Sequence, residues 1–62
     1  MWTVIYIAQT AKTAERIKQK LTEEGFLIKI RAINLTKTHF EILAPSGEVM
    51  EVQEVLGTIL HR

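Results

Sequence analysis

Few side chains in this 62-residue chain are equipped for covalent or acid–base chemistry. There is no cysteine, which removes thiolate nucleophiles, disulfides and Cys-based metal sites. His39 and Glu41 stand two apart in an alternating stretch, so they share one strand face, where an imidazole–carboxylate pair can relay a proton. An exposed strand histidine with no further role is the simpler reading. A metal would need a third converging ligand, and none is in sight. Ser46 precedes a helical pattern and reads as its N-cap, while His61 reads as a favourable charge at that helix's C-terminal end. Thr10, Lys12 and Thr13 lie where a strand gives way to a helix, a place whose free N–H groups attract anions, but no glycine-rich phosphate loop accompanies them. The inventory predicts no enzyme, no cofactor and no metal.

Two surfaces suggest binding instead. Trp2, Tyr6, Lys29 and Arg31 together mimic the aromatic and basic platform of a single-stranded nucleic-acid-binding sheet. The closely spaced aromatics of an RNP motif are missing, and Glu41 falls among the bases, so nucleic acid is the alternative reading. Trp2, Val4, Tyr6, Leu27, Ile33 and Leu43 form an apolar set expected on one uncovered sheet face, a surface suited to self-association.

The elements that position these residues follow from hydrophobic period. Phe26 to Ile33 and Thr38 to Ala44 both alternate, with Asn34, Leu35, Thr36 and Lys37 between them, the pattern of a β-hairpin. Phe26, Ile28, Ile30 and Ala32, and Phe40, Ile42 and Ala44, are predicted to face a core; Lys29, Arg31, His39 and Glu41 face away with Leu27, Ile33 and Leu43. Residues 1–8 are almost wholly apolar and favour strand, with Ile5 and Ile7 expected on the core side. Thr10 caps a helix running to Glu24 on the stripe Ala14, Ile17 and Leu21, and Gly25 supplies its left-handed terminus. Pro45 is expected to stop the third strand. Val49, Val52, Leu56, Ile59 and Leu60 predict a second helix reaching about His61, with Gly57 either allowing a close approach to the sheet or standing as a tolerated defect.

The resulting order, β-α-β-β-α, fits an α+β ferredoxin-like sandwich: a three-stranded sheet of order 1-3-2 with both helices on one face, order 1-2-3 being the rival. Residues 1–62 make one domain. A chain this short buries only about 60% of its unfolded surface, so a partner subunit is the remaining route to added stability. The first strand would be an edge, although it carries no charge. Natural edges are usually shortened or charged against pairing, so a homodimer is predicted.

The net charge of +1 gives no general pull toward nucleic acid or membrane, and 47% apolar content argues against disorder. Bases collect at residues 12–37 (Lys12, Arg16, Lys18, Lys20, Lys29, Arg31, Lys37), whereas Glu41, Glu48, Glu51 and Glu54 follow with no base among them. That separation suits two solvated faces, or complementarity with a second copy or a larger protein partner. No run of about 20 apolar residues can span a membrane, and the first residues lack a signal-peptide pattern, so the cytoplasm is expected.

Tyr6-Ile7-Ala8, then Ala14, Ile17 and Leu21, then Gly25-Phe26 with Ile28, resemble a family of short bacterial signal-transducing proteins whose biochemical role is unestablished. These look like a cut-down relative of the PII signalling fold. The resemblance covers about half the chain and rests on core spacing; the proline that often follows the first strand is Gln9 here. It implies a ferredoxin-like sheet and a regulatory, signal-transducing role by interaction. Some short proteins similar to this chain carry the name glutamate decarboxylase, a chemistry that needs an enclosed pyridoxal-phosphate pocket. A chain of 62 residues cannot build one.

Overall fold

The computed structural model describes residues 1–33 and 39–60. The predicted hairpin connection and His61 lie outside them. Strand β1 (Trp2–Ala8) leads into helix α1 (Ala11–Glu23); β2 (Lys29–Ala32) and β3 (Phe40–Pro45) follow; a 3-10 turn (Ser46–Glu48) opens into helix α2 (Val49–Leu60). The sheet order is β1-β3-β2, with β3 antiparallel to both neighbours. Order 1-3-2 is therefore correct: β1 and β2 run the same way on either side of β3.

Local signals explain both ends of α1. The Thr10 backbone is extended, and its hydroxyl accepts the Thr13 N–H at 3.1 Å, satisfying one free donor of the first turn. At the other end Gly25 sits at φ +97°, donating to the Thr22 carbonyl, while Phe26 donates to the Leu21 carbonyl. This pair of bonds is a Schellman turn, and it needs the left-handed residue that glycine tolerates. The predicted stripe Ala14, Ile17 and Leu21 is buried. It meets Ile5, Ala8, Ile28, Ile42, Ala44, Val52 and Leu56 in one core between the helices and one sheet face.

Several boundaries differ from expectation. β3 does stop at Pro45, but one residue later than expected: Pro45 is its last residue, paired opposite Trp2. At the last position of a strand the missing N–H costs little. Phe26 and Ile28 precede β2 rather than belong to it, though Ile28 is in the core and Phe26 packs against it. Ser46 caps nothing: α2 starts three residues later, behind a 3-10 turn with no side-chain cap. Leu60 is exposed rather than on the core stripe. A Cβ built at Gly57 would meet nothing within 4 Å, so close approach to the sheet is not its reason.

The largest correction lies in β1. Register runs Val4 opposite Leu43 and then Tyr6 opposite Ile42, leaving Ile5 as one extra residue, a β-bulge. Successive residues Ile5 and Tyr6 thus both meet the core, Ile5 within it and Tyr6 packed against it. Beyond the bulge the alternation is inverted. Ile7, expected inside, lies opposite Glu41 and is 48% exposed; Tyr6, expected on the open face, lies on the helix side.

Candidate functional site: the open sheet face

Among the described residues no helix covers the second face of the sheet, and its side chains fall in three columns. From β1 come Trp2, Val4 and Ile7, all apolar and 39%, 38% and 48% exposed. From β3 come Leu43 and Glu41, in register with Val4 and Ile7. From β2 come Lys29 and Arg31, in register with Leu43 and Glu41. Beyond the strand ends, Ile33 donates to the His39 carbonyl at 3.1 Å, which carries the β2–β3 ladder one pair further. By alternation Leu27 and Ile33 also belong to this face, and both are exposed.

The basic groups here are engaged. Arg31 Nε donates to Glu41 Oε1 at 2.8 Å, and its Nη2 reaches the same oxygen. Directly opposed strand residues of opposite charge are the sheet's ordinary cross-strand pair. Lys29 Nζ lies 4.8 Å from the centroid of the Trp2 ring, within cation–π range. Trp2 and Lys29 come from the two outer strands, so this contact passes over β3. Leu43, the β3 residue between them, is only 6% exposed although it is not part of the main core. A hollow of about 300 Å³ remains, lined by Trp2, Lys29, Ile30, Arg31 and Leu43.

Of the six apolar residues predicted to form an association surface, the structure brings Trp2 and Val4 to this face exposed. Leu43 is there but buried, and Tyr6 is on the opposite side. The nucleic-acid set is divided in the same way: Trp2, Lys29 and Arg31 share the open face, while Tyr6 packs against the core. No two-aromatic stacking platform forms among these residues, and Lys29 lies over the one indole present. Ile7 completes the exposed column and was missed because nothing in an almost wholly apolar strand signals a bulge.

The other candidates are placed more simply. Thr10 and Thr13 are bonded to each other, Thr10 Oγ1 donating to Thr13 Oγ1 at 2.9 Å, so both hydroxyls serve the cap. Ser46 Oγ donates to the Met1 carbonyl at 3.0 Å and lies 2.7 Å from Thr3 Oγ1, while the Ser46 N–H also reaches the Met1 carbonyl at 2.8 Å. Its role is to fasten the start of β1 to the end of β3. His39 and Glu41 both fall in the hairpin, but Glu41 is taken by Arg31. Among the described residues no group of three or more metal-ligating side chains converges, and no helix is long and apolar enough to cross a membrane.

Fold and surface together define a small α+β domain with a three-stranded antiparallel sheet covered on one face. Comparison of the chain with protein-family models, curated proteins and solved structures gave no match.

Proposed function

We propose that this chain is a non-enzymatic cytosolic interaction module that works as a homodimer, self-associating through β1 and the adjoining open face. The supporting observation is β1 itself. It is an outer strand of seven residues without a charge, three of them, Trp2, Val4 and Ile7, exposed. An edge of that composition is a template for pairing, and association covers it at no cost in buried charge. Dimerisation also supplies the stability that a 62-residue core provides sparingly. The ferredoxin-like arrangement and the resemblance to signal-transducing proteins make regulation of a larger protein partner the role this reading assigns to the dimer.

Sedimentation equilibrium at tens of micromolar tests it. The expected mass is twice that of the 7.1 kDa subunit. A single species at the subunit mass removes the proposal.

A further inference from the structure

The bulge at Ile5 does more than invert the strand. From Thr3 to Ala8 the side chains of β1 run inward, outward, inward, inward, outward, inward. Thr3 lies opposite buried Ala44, Ile5 and Ala8 are in the core and Tyr6 packs on it; Val4 and Ile7 are exposed. That order reads the same from either end. A strand that pairs with its own copy across a two-fold axis perpendicular to the sheet must run antiparallel to it, each residue facing a residue on the same side.

An ordinary alternating strand meets this condition in every second register, so it slips easily. The bulged one does not. Of the registers that pair four or more residues of each strand, only Thr3 opposite Ala8, Val4 opposite Ile7 and Ile5 opposite Tyr6 keeps every facing pair on one side. Sliding the copy by one or two residues in either direction sets at least one outward side chain against an inward one. In the matching register the Ile5–Tyr6 step of one strand is met by the Tyr6–Ile5 step of the other, two opposing two.

We infer that the occupant of the β1 edge is β1 of a second copy, antiparallel and in this one register, joining the two sheets into a continuous one. The inference rests on the homodimer proposed above and fixes its geometry. Three observations commit the edge to this occupant: β1 carries no charge to repel its copy, its outer side has no strand neighbour among the described residues, and its facing pattern is symmetric. On the open face Val4 and Ile7 of each copy then lie against Ile7 and Val4 of the other, four exposed apolar side chains in one cluster.

Cysteine cross-linking reads the register, because the chain has no thiol of its own. Directly opposed residues in an antiparallel pair have Cα atoms about 4.5–5.5 Å apart, within disulfide reach. Val4 and its own copy would be about 10 Å apart along the strand, as would Ile7 and its copy. Val4→Cys/Ile7→Cys, oxidised with oxidised glutathione, is expected to give a covalent dimer that reductant reverses. Each single variant alone should stay monomeric on a denaturing gel, and an equimolar mixture of the two should cross-link. Both positions are exposed, and circular dichroism checks that the variants fold.

Single variants that cross-link as readily as the double one overturn the register. A double variant that does not cross-link, while the unmodified chain sediments as a dimer, overturns the edge pairing and leaves the homodimer standing. An unmodified chain that sediments as a monomer overturns both.

Discussion

The two outer strands flank the same central strand, yet they are built on opposite principles. β2 has four residues, and its open-face side chains are Lys29 and Arg31, each already engaged. β1 has seven residues, no charge and three exposed apolar side chains on that face. Short length and charge are the usual devices that keep an edge from recruiting another chain. β2 has both; β1 has neither, only a bulge. The sheet thus has one protected edge and one receptive edge. In the proposed dimer the bulge at Ile5 would not close this edge but restrict how a copy fits it.

Both edges depend on β3, so the most drastic way to break the contrast is to remove its anchor. Ile42 is fully buried, opposite Tyr6 on one side and Ile30 on the other. Ile42→Ala is expected to cost about 2–5 kcal/mol from lost transfer energy and the cavity left behind. A domain of this size has a total stability of roughly 3–9 kcal/mol. The variant should therefore be largely unfolded at room temperature by circular dichroism, or show a urea midpoint far below that of the parent.

How much of this contrast was legible beforehand depends on how far each signal reaches along the chain. The cap at Thr10, the terminus at Gly25 and the stripe Ala14, Ile17 and Leu21 are set by neighbours within a turn or two, and the sequence carries them openly. A crossover and a hairpin, both local in the chain, narrow the sheet to orders 1-3-2 and 1-2-3, and the long-range pairing of β1 with β3 decides for the first. β2 and β3 alternate strictly, so Lys29, Arg31 and Glu41 could be assigned to the open face in advance. β1 could not be read this way. With apolar residues at nearly every position, shifting its phase by one changes nothing in the pattern, and the bulge that moves Tyr6 inward and Ile7 outward leaves no trace.

Ser46 failed for a related reason. A serine after a proline and before a helical pattern looks like a cap, and only the long-range meeting with Met1 and Thr3 gives it another task. Leu43 likewise reads as exposed from alternation but is 6% exposed, beside a hollow it lines with Trp2 and Lys29 from the two outer strands, a meeting that no local pattern signals.

A charge placed on each edge in turn separates the two principles. Ile7→Lys puts a cation on β1 against Val4 of the proposed second copy, and the expected result is loss of the dimer: the subunit mass in sedimentation and a melting temperature that no longer rises with protein concentration. Its intrinsic cost should stay within about 0.5 kcal/mol, because the residue is half-exposed. Arg31→Gln on β2 removes a surface ion pair worth about 0.2–1 kcal/mol and should leave the mass unchanged. If Ile7→Lys stays dimeric while Arg31→Gln dissociates, the receptive edge has been assigned to the wrong strand.

The smallest effect bears on why the open face has any order at all. Lys29 reaches across β3 to the Trp2 ring, and a cation–π contact at a partly exposed site is worth about 0.5–1 kcal/mol. A double-mutant cycle on Trp2→Leu and Lys29→Gln isolates that coupling from the separate losses of the indole and of the ammonium. The expected coupling is about 0.5 kcal/mol in urea unfolding, falling little with added salt, since a cation over a ring is less screened than an exposed ion pair. Lys29→Gln alone should also shift Trp2 fluorescence while leaving the dimer mass unaltered. Zero coupling would mean that Leu43 is sheltered by strand packing alone. Dissociation on Lys29→Gln would instead make the Trp2–Lys29 contact part of the receptive edge.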